Sequence, residues 1–70
     1  MDVTLYISNH CPDCDQAREQ LTGQNVDFHE INLEEHAEVG RELFERCGSN
    51  LVPLIDVDGQ CYAGVFPPLS

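Results

Sequence analysis

The stretch Val3-Thr4-Leu5-Tyr6-Ile7-Ser8-Asn9-His10-Cys11-Pro12-Asp13-Cys14 decides how the rest of this 70-residue chain is read. Val3 to Ile7 is mostly apolar and rich in β-branched and aromatic residues, the pattern of a strand buried on both faces. Ser8-Asn9-His10 interrupts it. Pro12 then suits the first position of a helix, where its missing N–H is no loss. Cys14, Ala17 and Leu21 follow at helical spacing with polar residues between them, and Gly23 is the expected stop. The two cysteines therefore fall where a strand hands over to a helix.

Beyond Gly23, Val26 to Ile31 reads as a second strand. The acidic stretch Glu34-Glu35-His36-Ala37-Glu38 favours a helix start, because carboxylates interact well with the positive end of a helix dipole. Leu43, Phe44 and Cys47 should form that helix's buried stripe and Gly48 its end, with Gly40 a local weakness. Leu51 to Val57 reads as a third strand, begun through Val52-Pro53. Asp58-Gly59 is a two-residue hairpin turn, returning Gln60 to Ala63 as an antiparallel fourth strand. The expected architecture is α/β, in the order β-α-β-α-β-β, with residues 1–70 as a single domain and a four-stranded mixed sheet.

Three basic and thirteen acidic side chains leave a formal charge of −10. Such a surface repels phosphate backbones and anionic lipid, which argues against nucleic-acid and membrane-surface roles. No apolar run approaches the roughly 20 residues of a membrane span. The start, Met1-Asp2-Val3-Thr4, has no signal-peptide pattern, so a reducing cytosolic setting is expected. In that setting four cysteines point to catalysis or metal binding before a structural disulfide framework.

Cys11-Pro12-Asp13-Cys14 at a strand-to-helix junction is the pattern of a redox pair. Unpaired N–H groups and the dipole at the helix start favour a thiolate on Cys11, and two intervening residues bring Cys14 within disulfide reach. Cys11 is the expected nucleophile and Cys14, on the buried stripe, the resolving thiol. Asp13 and Asp15 work against the thiolate, and a protonated His10 would offset part of that. The competing reading is a zinc or iron–sulfur module using Cys11 and Cys14. Against it stands the single close pair: structural zinc sites usually show two, and no metal ligand set is assigned. Cys47 and Cys61 read as small core hydrophobes on elements whose ends should lie apart. His29 and His36 read as solvated surface residues.

Tyr6, Cys11-Pro12-Asp13-Cys14, Val52-Pro53, Asp58-Gly59 and Ala63-Gly64 together give the chain a resemblance to the glutaredoxin family over nearly its whole length. The resemblance implies a thioredoxin-like fold lacking the family's final helix, and a dithiol-disulfide oxidoreductase. It also implies that Pro12 and Pro53 support the active site, with Pro53 cis, and that Val52, Pro53, Gly64 and Val65 bind substrate. Val52 would offer its backbone to an extended substrate, as in strand addition. Family members that use glutathione carry a lysine or arginine where this chain has Ser8, and often a threonine where it has Leu51. The Gly64 to Pro67 region is closer to glutaredoxin-like redoxins fed by thioredoxin reductase. No bound cofactor is expected. The partners implied are a protein disulfide substrate and, as electron donor, glutathione or a thioredoxin reductase, acting on a monomer or weak oligomer. Phe66 and Leu69 are candidates to cover a sheet face or meet a partner.

Overall fold

In the computed structural model, residues 2–63 are described, and they form four strands and two helices. Strand β1 (Val3–Ile7) is followed by α1 (Pro12–Gly23), β2 (His29–Asn32), α2 (Ala37–Cys47), β3 (Leu54–Val57) and β4 (Gln60–Ala63). The sheet runs β2-β1-β3-β4. β1 pairs with β2 in parallel, and the other two pairings are antiparallel, so the sheet is mixed, as the sequence implies. Gly64 and Val65, the apolar Phe66 and Leu69, and the place of the family's final helix lie outside the described residues.

β1 is central, and its alternation explains why both faces needed apolar residues. Val3, Leu5 and Ile7 point to the α1 side and pack with Cys14, Ala17, Leu21 and Ile55. Tyr6 points to the α2 side and packs with Leu43 and Leu54. Each face of the sheet thus carries one helix and one small core.

Three boundaries differ from the sequence reading, each for an identifiable reason, and the end of α1 is closed by residues beyond the expected glycine. α1 ends at Gly23, as expected, but the glycine is not the left-handed residue that closes it. Gln24 caps it and Asn25 takes the left-handed conformation, φ 57°. The Asn25 N–H reaches the Thr22 carbonyl and the Val26 N–H the Leu21 carbonyl, both at 3.1 Å, closing a Schellman motif. That closure uses the Val26 N–H, so β2 begins at His29, opposite Thr4, instead of at Val26. Val26 and Phe28 still pack on the α1-side core.

The second helix begins at Ala37, because the acidic stretch before it is otherwise engaged. The Glu34 carboxylate accepts the Asn9 N–H, and Glu35 N–H closes a turn on the Asn32 carbonyl at 3.1 Å. β3 begins at Leu54, not Leu51. Its last partner on β1 is Tyr6, and Pro53 has no N–H to extend the ladder. Leu51 is exposed, its N–H held by the Ser49 hydroxyl at 3.1 Å.

The α2 stripe needs one correction. Leu43 is buried and Cys47 half-buried, but Phe44 is 56% exposed. Val39, Gly40, Leu43 and Cys47 fall at spacings of one to four residues along one side, and the 100° step from Leu43 carries Phe44 off it. Gly40 is not held there by crowding, since a Cβ added to it would meet nothing within 4 Å. Gly40→Ala is therefore expected to stabilise the domain by about 1 kcal/mol through helix propensity. A thermal melt should show Tm rising by roughly 4–8 °C; a fall would show that α2 sits closer to its neighbours than described.

Tyr6 gives the α2-side core a pH signature. Burial pushes its phenol above the ordinary value, partly opposed by the Arg46 guanidinium. A raised folded pKa means the folded state holds the proton more tightly. Its stabilisation is complete below about pH 10 and is lost as pH rises through the higher folded value. In a Tyr62→Phe variant Tyr6 is the sole tyrosine, and its phenolate absorbance should appear with a midpoint above 10. A midpoint at or below 10 would remove the desolvation argument.

Candidate redox site

The loop Ser8-Asn9-His10 carries the chain from β1 to the first cysteine, and three polar side chains hold it. Besides the Asn9 N–H to Glu34 contact, Asn32 Nδ2 donates to Asn9 Oδ1 at 2.8 Å, and the Glu34 N–H donates to Asn32 Oδ1 at 2.9 Å. The loop before α1 is thereby tied to the loop after β2. His10 then takes a positive φ of 53°, a conformation uncommon for a residue with a side chain. Nothing in the sequence reading pointed to Asn9, Asn32 or Glu34 as positioning residues. Their one signal is the clustering of turn-forming Asn and Ser beside the Cys pair.

Cys11 is the N-cap of α1. Its sulfur accepts the Cys14 N–H at 3.1 Å, while its carbonyl accepts the Cys14 and Asp15 N–H groups at 3.1 and 3.2 Å. Pro12 occupies the first turn, where its fixed φ suits the helix. The Cα atoms of Cys11 and Cys14 are 5.2 Å apart and their sulfurs are joined as a disulfide. Cys14 is only 1% exposed and sits in the α1-side core, whereas Cys11 is half-buried at the edge of that core. The pair is asymmetric: Cys11 is partly exposed and Cys14 is protected.

A thiolate at Cys11 would receive the Cys14 N–H and the positive end of α1. Asp13 and Asp15 in the first turn oppose it. Arg18 moderates that opposition. Its guanidinium binds Asp15 at 2.8 Å and Glu30 on β2 at 2.6 Å, and these carboxylates hold its pKa above the ordinary value.

The Val52–Pro53 peptide bond is cis. Pro53 is buried, and Val52, half-buried, packs on the same α1-side core as Cys11 and Cys14. Among the predicted site residues, Cys11, Cys14, Pro12, Val52 and Pro53 are thus described, and Gly64 and Val65 are not. Among the described residues no group of three or more His, Cys, Asp or Glu side chains is arranged to hold a metal ion.

The remaining two cysteines depart from expectation. Cys47 and Cys61 do not lie apart; their Cα atoms are 6.0 Å from each other and their sulfurs are joined. The reason is topological. Cys61 lies opposite Asp56 on the sheet face that α2 covers, and α2 ends over that hairpin.

Comparison with known proteins agrees with the geometry. The family model described as Glutaredoxin matches residues 3–62. Glutaredoxin 3 of Escherichia coli strain K12 is 32% identical over 63 residues, covering 90% of this chain and 76% of that protein. The glutaredoxin-like protein NrdH of Lactococcus lactis subsp. cremoris is 31% identical over 65 residues, covering 93% and 89%. The crystal structure of a thioredoxin-like protein superposes with a TM-score of 0.85 at 26% identity, covering 93% of this chain and 89% of the other. With its Cys-x-x-Cys at the start of α1 and a family match spanning both helices and the sheet, the chain belongs to the glutaredoxin family.

Proposed function

We propose that this chain, a thiol–disulfide oxidoreductase by family, works through Cys11 as nucleophile and Cys14 as resolving thiol. The observation that carries the roles is the Cys14 N–H donated to the Cys11 sulfur at the head of α1. The Cys11 thiolate attacks one sulfur of a protein disulfide, forming a mixed disulfide and releasing the other sulfur as a thiolate. Cys14 loses its proton and attacks the Cys11 sulfur. The substrate leaves fully reduced, and the Cys11–Cys14 disulfide holds the two-electron oxidation. Val52, which packs on the α1-side core that holds Cys14, would pair its backbone with the substrate chain, with Pro53 fixing the turn; Gly64 and Val65 are proposed to complete that surface.

A donor must then return two electrons to the Cys11–Cys14 disulfide. We favour a flavoprotein reductase of the thioredoxin reductase class over glutathione. Glutathione is an anion, and the protein carries a formal −10 with thirteen carboxylates. Arg18 is engaged by Asp15 and Glu30, and Arg46 by Asp56. Ser8, before the first cysteine, offers no charge. The setting that fits this chemistry is a reducing cytosol, with the protein acting as a monomer or weak oligomer and without a bound cofactor. Turnover on a small disulfide, measured with each donor system in parallel, tests the reading. Faster turnover with the reductase is expected; turnover with glutathione alone would reverse the donor assignment, and none with either would remove the mechanism.

A further inference from the structure

The Cys47–Cys61 pair lies outside this chemistry, and its surroundings are those of a second redox site. Cys47 is the last residue of α2 and Cys61 lies on the edge strand β4, with Cα atoms 6.0 Å apart. Both residues are half-buried, and neither is shut fully into the core as Cys14 is. Both pack on the α2-side core, while Cys11 and Cys14 pack on the α1 side. The sheet separates the two pairs, so they cannot exchange electrons within one molecule.

We propose that Cys47 and Cys61 form a second, reversible thiol–disulfide centre that fastens the end of α2 to β4. The two sulfurs are electrostatically unequal. Arg46 Nη1 lies 4.0 Å from the Cys61 sulfur, while its Nη2 pairs with Asp56 at 2.7 Å. A cation beside a thiol favours the thiolate, and the shared Asp56 moderates that effect. Cys47 sits at the C-terminal, negative end of α2, which disfavours a thiolate. Cys61 is therefore the attacking sulfur. Its thiolate forms a mixed disulfide with an oxidising disulfide, protein or small molecule, and expels one thiolate. Cys47 then gives up its proton, attacks the Cys61 sulfur and expels the second thiolate. Two electrons pass to the oxidant, and the closed loop contains Val52, Pro53 and β3. Oxidation on this face thus constrains the segment that borders the first site.

A Cys11→Ser/Cys14→Ala variant isolates the second pair, so this proposal and the roles given to Cys11 and Cys14 fail separately. It is equilibrated in mixtures of reduced and oxidised dithiothreitol, the free thiols are alkylated, and the intact mass is read. The expected result is a two-electron transition from two alkylated thiols to none, in a monomer. Between its reduced and oxidised forms Tm should rise on the order of 10 °C, from closing a loop of about this length. Adding Arg46→Met should slow oxidation several-fold. Two alkylatable thiols throughout, or an oxidised product that is a disulfide-linked dimer, would overturn the proposal. Should the variant fail to fold, the unaltered oxidised chain is cleaved at Asp58, between the two cysteines, and mapped by mass. A peptide joining Cys47 to Cys61 supports the pairing, and any other pairing or free thiols there refute it.

Discussion

Replacing Cys11 by serine should bring disulfide turnover down to background, a loss of roughly three orders of magnitude or more, since a serine hydroxyl is not ionised near neutral pH and is a far weaker nucleophile than a thiolate. Changing Cys14 should act differently. With Cys14→Ala the first attack survives, because Cys11 keeps its place at the head of α1 and the donor to its sulfur is the backbone N–H of residue 14, which alanine retains. Resolution fails, so mixed disulfides between Cys11 and the substrate should accumulate and be visible by mass. Alanine is the better replacement because position 14 is 1% exposed, and a serine hydroxyl would be placed in the apolar α1-side core. Retained turnover in the Cys11 variant, or full dithiol activity without Cys14, would contradict the assigned roles.

The second large effect concerns stability. Leu21 is 0% exposed, belongs to the α1-side core and contributes its carbonyl to the Schellman closure that receives the Val26 N–H. Truncating such a leucine to alanine typically costs about 2–5 kcal/mol, from lost burial and the cavity left behind. A 70-residue domain has a total stability of only roughly 3–10 kcal/mol. Leu21→Ala should therefore leave a substantial unfolded fraction at 25 °C and lower the urea midpoint sharply, as far-UV circular dichroism would show. An unchanged midpoint would mean that the surrounding core collapses to fill the space at little cost, contrary to the close packing described.

Both predictions concern α1, and α1 was the most legible part of the chain. Pro12 and the apolar spacing of Cys14, Ala17 and Leu21 mark it because a helix start and a helical stripe are local patterns, set within a few residues. The Asp58-Gly59 turn was legible for the same reason: both residues take positive φ, 51° and 91°, as a two-residue hairpin of this type requires. Misplaced boundaries share another cause. Glu34 looked like a helix start until its carboxylate was needed by the Asn9 N–H, 25 positions earlier in the chain. Phe44 looked buried because it is apolar, but the rotation of α2 against the sheet selects Leu43 and Cys47.

The order of elements, the handover from β1 to α1 and the capping of that helix by Cys11 were determined by sequence alone, because propensity, turn chemistry and spacing act over short range. The tertiary structure decided which residues distant along the chain meet: Asn9 with Glu34, Arg18 with Glu30, and Cys47 with Cys61. Those meetings follow from strand order and from the angle at which each helix lies on the sheet, quantities that no local pattern encodes.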